Sequence, residues 1–153
     1  MKVVIQRVKY AKVEIEGKIV GDIEKGFLVL LGVGQEDNEK DLEYLVKKVT
    51  NLRVFEDNEG KMNLGIKEIE GKLLVISQFT LYADCKKGNR PSFINAAEPI
   101  HAKELYLKFV EECRKLNIDT KTGEFGADMK VELLNDGPVT IIIDSKDISK
   151  NII

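Results

Sequence analysis

A single histidine is the sharpest shortage in this chain of 153 residues. Ser-His-Asp and Cys-His hydrolytic devices need an imidazole to accept the nucleophile's proton. His101, the one histidine, falls near the predicted start of a surface helix and is expected to be an ordinary exposed side chain. Cysteine is almost as scarce: Cys85 and Cys113 are the only two, and with one histidine they form no zinc-ligand spacing. Both thiols are expected to be reduced and structural in the cytosol. No metal and no cofactor is expected.

Positive charge is short too. The net charge is −2, whereas a protein that grips long nucleic acid through its phosphates carries a clear basic excess. DNA is therefore not an expected partner, and any RNA footprint is expected to be small. The longest apolar run, Phe27 to Val33 with Gly32 inside it, falls far short of the ~20 residues that span a bilayer. The opening Met1-Lys2-Val3-Val4-Ile5-Gln6-Arg7 becomes charged too soon to supply a signal-peptide apolar region. A cytoplasmic protein without membrane contact is expected. Gly32-Val33-Gly34 lacks the spacing and lysine of a phosphate loop, and no two carboxylates make a distinctive acid–base pair.

What is present is core-forming material. Hydrophobic residues make up 43% and charged residues 33%, as in a globular protein that folds by itself. Residues 1–145 are expected to form one domain around one core, with a short tail, 146–153, of no assigned role. Val3 to Ile23 alternates apolar and polar residues, broken at Glu16-Gly17, which predicts a hairpin. Phe27 to Val33 reads as a buried strand. Asp41 to Phe55 carries Leu42, Leu45, Val46, Val49 and Leu52 on one helical face, with Asp37 or Asn38 available as cap. Ile66–Glu70 and Lys72–Ser77, separated by Gly71, suggest a second hairpin or kinked pair.

Residues 84–98 read as a loop around Arg90 and Pro91. Pro99 suits an early helix position, and Ala102, Leu105, Tyr106, Phe109, Val110, Cys113 and Leu116 follow at helical spacing. Met129–Leu134 and Val139–Ile143 are predicted as the last two strands. The order is not a regular β-α-β alternation. The expected fold class is α+β: a curled, mostly antiparallel, barrel-like sheet with two amphipathic helices on one face.

Two stretches do not suit plain core strands. Ser77-Gln78-Phe79-Thr80-Leu81-Tyr82-Ala83-Asp84 puts hydroxyls, a carboxamide and backbone N–H groups at a strand end. Asn135-Asp136-Gly137-Pro138-Val139-Thr140 puts a Gly-Pro pair, one member without a donor, between two strands. Together with Lys87-Gly88-Asn89-Arg90-Pro91-Ser92-Phe93 and Gly123-Glu124-Phe125-Gly126-Ala127-Asp128-Met129, they resemble the D-aminoacyl-tRNA deacylase family. The resemblance runs from Met1 to about Ser145, with four motifs in family order.

That resemblance implies an esterase that acts on the aminoacylated 3′ end of tRNA. It releases D-amino acid as chirality proofreading, with some activity on glycyl-tRNA. It implies a barrel-like homodimer with active sites at the subunit interface. Ser77, Gln78, Phe79 and Thr80 would form the catalytic stretch, and backbone N–H groups there suit a tetrahedral oxyanion, at about 2.7–4 kcal/mol per lost donor in a well-studied hydrolase. Thr80 as nucleophile and a ribose 2′-OH that helps to activate water both remain open.

Gly137 and Pro138, cis by resemblance, would project from one subunit into the other's site and reject L-residues by their carbonyls, with Arg7 bracing those carbonyls. Ala102, Phe125 and Met129 would wall the terminal adenosine. Two rival readings stand beside this one: an editing module that removes a wrong L-amino acid from tRNA, and a non-catalytic tRNA-binding module.

Overall fold

The computed structural model describes residues 1–147, so 148–153, the greater part of the expected tail, lie outside the described residues. Eight strands and two helices run in the order β1 (Lys2–Ile15), β2 (Lys18–Ile23), β3 (Gly26–Gly32), α1 (Glu39–Asn51), β4 (Phe55–Glu56), β5 (Met62–Leu64), β6 (Lys72–Ser77), α2 (Pro99–Lys115), β7 (Thr120–Thr122) and β8 (Lys130–Asp144). A short 3₁₀ turn, Phe79–Tyr82, follows β6.

The long first strand organises the sheet. One edge of β1 pairs with β3 over Lys2–Val8 and with β2 over Ala11–Ile15, all antiparallel. Its other edge carries β8 along nearly its whole length, from Lys2 opposite Asp144 to Glu14 opposite Lys130. β3 then pairs with β6 in parallel, and β6 with β7 in parallel. Parallel neighbours need a crossover, and α1 and α2 supply the two crossovers. The expected curled α+β sheet is present, with these two parallel joints making it mixed.

Both faces of β3 and β6 are buried, because their apolar residues are continuous rather than alternating. Phe27, Val29, Leu31, Leu73 and Val75 face the helices and pack with Leu45 and Val49 of α1 and Phe109 and Cys113 of α2. Leu28, Leu74 and Ile76 face the inside of the curl and meet Val8, Ala11 and Val13 of β1 and Ile23 of β2. Each fully buried side chain of this size contributes about 1.5–3 kcal/mol. Both helices thus cover one face, and the other face is left to form a hollow.

Three expectations are corrected. The first helix begins at Glu39 and ends at Asn51, because Asn38 is its cap: its side-chain oxygen accepts the Lys40 N–H at 2.9 Å, and the Asp41 carboxylate accepts the Asn38 N–H at 2.9 Å. Phe55 then belongs to β4. Residues 66–70 form turns, not a strand, since the Gly71 N–H donates back to the Ile66 carbonyl at 2.8 Å and closes the segment on itself. The last two predicted strands are one element, β8, whose halves pair with the same strand β1 on either side of a break in register.

Candidate active site

The stretch Ser77 to Thr80, expected to be catalytic, sits where β6 leaves the sheet. Ser77 is the last paired residue, opposite Leu31, and the Gln78 N–H makes one more bond to the Leu31 carbonyl at 2.8 Å. The chain then turns back on itself, with Leu81 N–H to the Gln78 carbonyl at 3.3 Å and Ala83 N–H to the Thr80 carbonyl at 3.1 Å. The N–H groups of Phe79 and Thr80 precede the first bond of this turn, and the opening donors of a helical turn have no partner within it. They are the donors that the site can offer.

The turn needs room to lie there. A Cβ on Gly32, at the end of β3, would meet the Leu81 Cβ at 3.0 Å and the Gln78 carbonyl oxygen at 3.1 Å. Glycine at this position lets the end of β3 and the turn approach closely, which is its role in the Gly32-Val33-Gly34 stretch. The Thr80 hydroxyl accepts a hydrogen bond from the Gln78 amide nitrogen at 3.0 Å. That neighbour is a donor and not a base, so it does nothing to strip the hydroxyl of its proton.

Ser77, Gln78, Phe79 and Thr80 all line a cleft of about 860 Å³. Its floor is the inner face of the curl, with Leu28, Leu30, Ile76, Val131 and Leu133, and its far wall is Phe125, Met129 and Ala102. Tyr106, from α2, holds that wall: its ring packs at 5.9 Å against Phe125, and its hydroxyl donates to the Val75 carbonyl at 2.9 Å. Burial pushes the Tyr106 phenol up to about 12, which keeps it a neutral donor. The structure therefore brings seven of the ten expected residues into one cleft.

Arg7, Gly137 and Pro138 are the three that do not line it. Opposite the single residue Arg7, between the pairs Gln6–Thr140 and Val8–Asn135, β8 carries the four residues 136–139 as a protrusion. Asn135 and Thr140 close its neck: the Asn135 side-chain oxygen accepts the Val139 N–H at 2.9 Å and its amide nitrogen donates to the Thr140 hydroxyl at 3.0 Å. The Gly137-Pro138 peptide is cis, and Gly137 has φ +146°, in the region that suits glycine alone. Both residues are exposed.

Arg7 is buried, contrary to an ordinary strand-surface charge, and its donors go to the Asp136 carbonyl at 2.9 Å and the Val54 carbonyl at 2.5 Å. The expected bond to the carbonyls of the Gly-Pro pair is replaced by one to the residue before it. Arg7 braces the base of the protrusion.

Sequence reasoning passed over two residues. Asp37 was expected only as a possible cap. Instead its carboxylate pairs with the Met1 ammonium group at 2.6 Å and accepts the Gly34 N–H at 2.5 Å and the Tyr82 hydroxyl at 3.2 Å. It ties the last residue of the catalytic turn to the chain start, and burial together with this carboxylate raises the Tyr82 phenol far above its usual range. The Asp37 carbonyl also accepts the His101 Nε2–H at 2.7 Å, which gives that histidine a structural bond outside the cleft. The second residue is Phe93, whose ring stands edge-on to Phe79 with centroids 5.0 Å apart and also lines the cleft. Nothing in local spacing marks Asp37, while Phe93 was part of a motif quoted without a role.

Among the described residues, no group of three or more His, Cys, Asp or Glu side chains is placed to hold a metal ion. Fold and cleft define a class: curled-sheet α+β proteins with a largely apolar pocket that opens beside the turn at a strand end. A family model described as D-Tyr-tRNA(Tyr) deacylase matches residues 4–144. A protein of Fusobacterium nucleatum named D-aminoacyl-tRNA deacylase is 65% identical over 147 residues, covering 96% of this chain and 97% of its own. One of Thermosipho africanus with the same name is 59% identical over 148 residues, covering 97% and 99%.

Among solved structures, one described as a c-Myc DNA unwinding element binding protein superposes with a TM-score of 0.89 at 42% identity, covering 94% of this chain and 98% of that one. Another, described as a probable eukaryotic D-amino acid tRNA deacylase, has a TM-score of 0.75 at 16% identity over the same shares and shares the fold. The chain belongs to the D-aminoacyl-tRNA deacylase family.

Proposed function

We propose that this protein hydrolyses the ester bond of D-aminoacyl-tRNA in the cytoplasm, releasing free tRNA and the D-amino acid. The observation that carries this reading is the pair of N–H groups at Phe79 and Thr80, left over by the turn and placed at an apolar cleft large enough for a nucleoside. The terminal adenosine lies against Phe125, Met129 and Ala102. The ester carbonyl points at the two N–H groups, which hold the oxyanion as it forms.

Water is the nucleophile, and the ribose 2′-OH of the terminal nucleotide helps to activate it. The Thr80 hydroxyl is held by an amide donor and has no base, so it positions rather than attacks. A trapped acyl-threonine would sink this route.

Handedness is sorted by backbone. Gly137-Pro138 of one protomer enters the cleft of a second copy and places carbonyls where the Cβ of every L-residue would go. A D-residue, or glycine with no Cβ, avoids them, so glycyl-tRNA is also cleaved. This reading is supported by the exposure of the pair and by its place outside its own chain's cleft. The net charge of −2 suits a grip on one charged 3′ end rather than on duplex DNA.

Matched D- and L-tyrosyl-tRNA test the proposal directly. Cleavage of the D ester with the L ester spared is expected. Cleavage of the L ester with the D ester spared would assign the chain to L-editing, equal cleavage of both would remove the chiral filter, and tRNA binding without cleavage of either would leave a binding module.

A further inference from the structure

The segment between Asp84 and Glu98 carries an excess of positive charge. It holds Lys86, Lys87 and Arg90 and no carboxylate, in a protein whose net charge is −2. All three cations are exposed. Lys72, Lys108 and Lys115 have carboxylates within 4 Å, whereas these three have none among the described residues. The adjoining carboxylate of Asp84 is occupied by the backbone, accepting the Lys86 N–H at 3.0 Å.

The base of this loop is fixed and its tip stands free. Asp84 and Ser92 exchange two backbone bonds, at 2.7 and 2.9 Å, and so close residues 85–91 into a narrow finger. Immediately after the neck, Phe93 packs its ring on Phe79 and lines the cleft, as do Ala96 and Ala97. Ala97 N–H to the Val33 carbonyl at 2.9 Å and Gln35 N–H to the Asn95 carbonyl at 3.2 Å tie the same stretch to the exit of β3. The wall of the site and the root of the basic finger are thus one anchored piece of chain. Arg90 stands three residues from Phe93, so their Cα atoms are at most about 11 Å apart.

We infer that this finger, residues 85–92, is a docking surface for the phosphates of the unpaired 3′ strand just before the charged nucleotide. The inference rests on the deacylase reading above. In this inference the strand, with its last nucleoside in the cleft, leaves past Phe79 and Phe93, so that its phosphates pass the finger. Such contacts set the register of the strand without reading its bases. Three contacts also agree with a protein of small footprint.

The test is a triple substitution, K86A/K87A/R90A, in the full chain, assayed on D-tyrosyl-tRNA and on the 3′-ester of D-tyrosine with adenosine. On the tRNA, kcat/KM falls roughly tenfold or more at about 0.1 M salt, through KM, because the single-strand phosphate term is lost. The log–log salt dependence becomes shallower by about 2, the slope for three single-strand contacts. On the nucleoside ester, which has no phosphates, the rate stays unchanged, and so does the melting temperature. An equal fall on both substrates, or no fall on tRNA, overturns the docking role while leaving the deacylase reading in place. Failure of the unmodified protein to cleave either ester overturns both. Retention of the salt slope by the variant would place the phosphate contacts elsewhere and also overturn it.

Discussion

The catalytic turn at 77–83 and the protrusion at 136–139 are built by opposite means. The turn is held by backbone bonds to β3 and by close packing on Gly32, and it opens into a cleft lined by its own chain. The protrusion is held by side chains, with Asn135 and Thr140 at its neck and Arg7 at its base, and it does not line that cleft. Under the proposed function, one chain carries the donors for the reaction, while the element offered as chiral filter has no substrate beside it in its own chain. That reading makes chemistry and stereochemical choice separable and has the filter act on the substrate of a second copy.

The largest test of the comparison removes a donor from the turn without changing its course. Gln78 is extended and Phe79 opens the turn, so proline is tolerated at position 79 and takes away one N–H. Relative to Phe79→Ala, which controls for the lost ring, Phe79→Pro is expected to lower single-turnover kcat by about 10²–10³-fold. Equal rates for the two variants would break the claim that main-chain donors do the chemistry.

Arg7→Ala addresses the other region. It leaves the buried Val54 carbonyl without its partner, at a cost of about 1–3 kcal/mol in a urea melt. Hydrolysis of the D ester should persist at temperatures where the fold survives, while preference for D over L tyrosyl-tRNA drops by about tenfold, the loss worth ~1.4 kcal/mol at the transition state. Parallel loss of activity and discrimination would join the two regions that the geometry separates.

Gly32→Ala sharpens the comparison on the side of the turn. The new methyl would press on Leu81 and the Gln78 carbonyl at 3.0–3.1 Å, moving the donors by a few tenths of an ångström. A fall of about tenfold or more in kcat with unchanged D over L preference is expected, since small misplacements of reacting groups cost rate.

The smallest effect concerns the thiols. Cys85 is exposed on the basic finger, whereas Cys113 is buried on the core face of α2 and burial pushes its thiol up to about 12. At pH 8 an alkylating reagent should label Cys85 alone, since the thiolate is the reactive form. Mass analysis after labelling of the folded protein checks this, and modification of Cys113 would mean that the helix layer opens.

Much of the fold was legible because its signals are local. The alternation in β1 and β2, the helical stripe from Ala102 to Cys113 and the polar exit after Ser77 each show in a window of a few residues. The boundaries that slipped did so for local reasons as well, such as the capping box at Asn38 that starts α1 two residues early. The site was legible in parts. Eight of its ten residues lie in three of the motifs, and Arg7 and Ala102 come from the resemblance alone, but nothing in the sequence tells that seven share a cleft and three do not.

Asp37 shows why. Besides its near neighbour Gly34, its partners Met1 and Tyr82 come from distant stretches of chain, and no pattern in sequence announces a buried carboxylate that gathers them. By itself the sequence determined the first three strands, the core of both helices, the shortage of titrating catalysts and the two unusual stretches, since these follow from residue type and spacing. Only the tertiary structure decided that β8 is one strand with four residues pushed out opposite Arg7, and that the turn lines the cleft while the protrusion does not. Those facts depend on which strands meet and in what register, and pairing across more than a hundred residues is settled by burial of the whole sheet rather than by any segment of it.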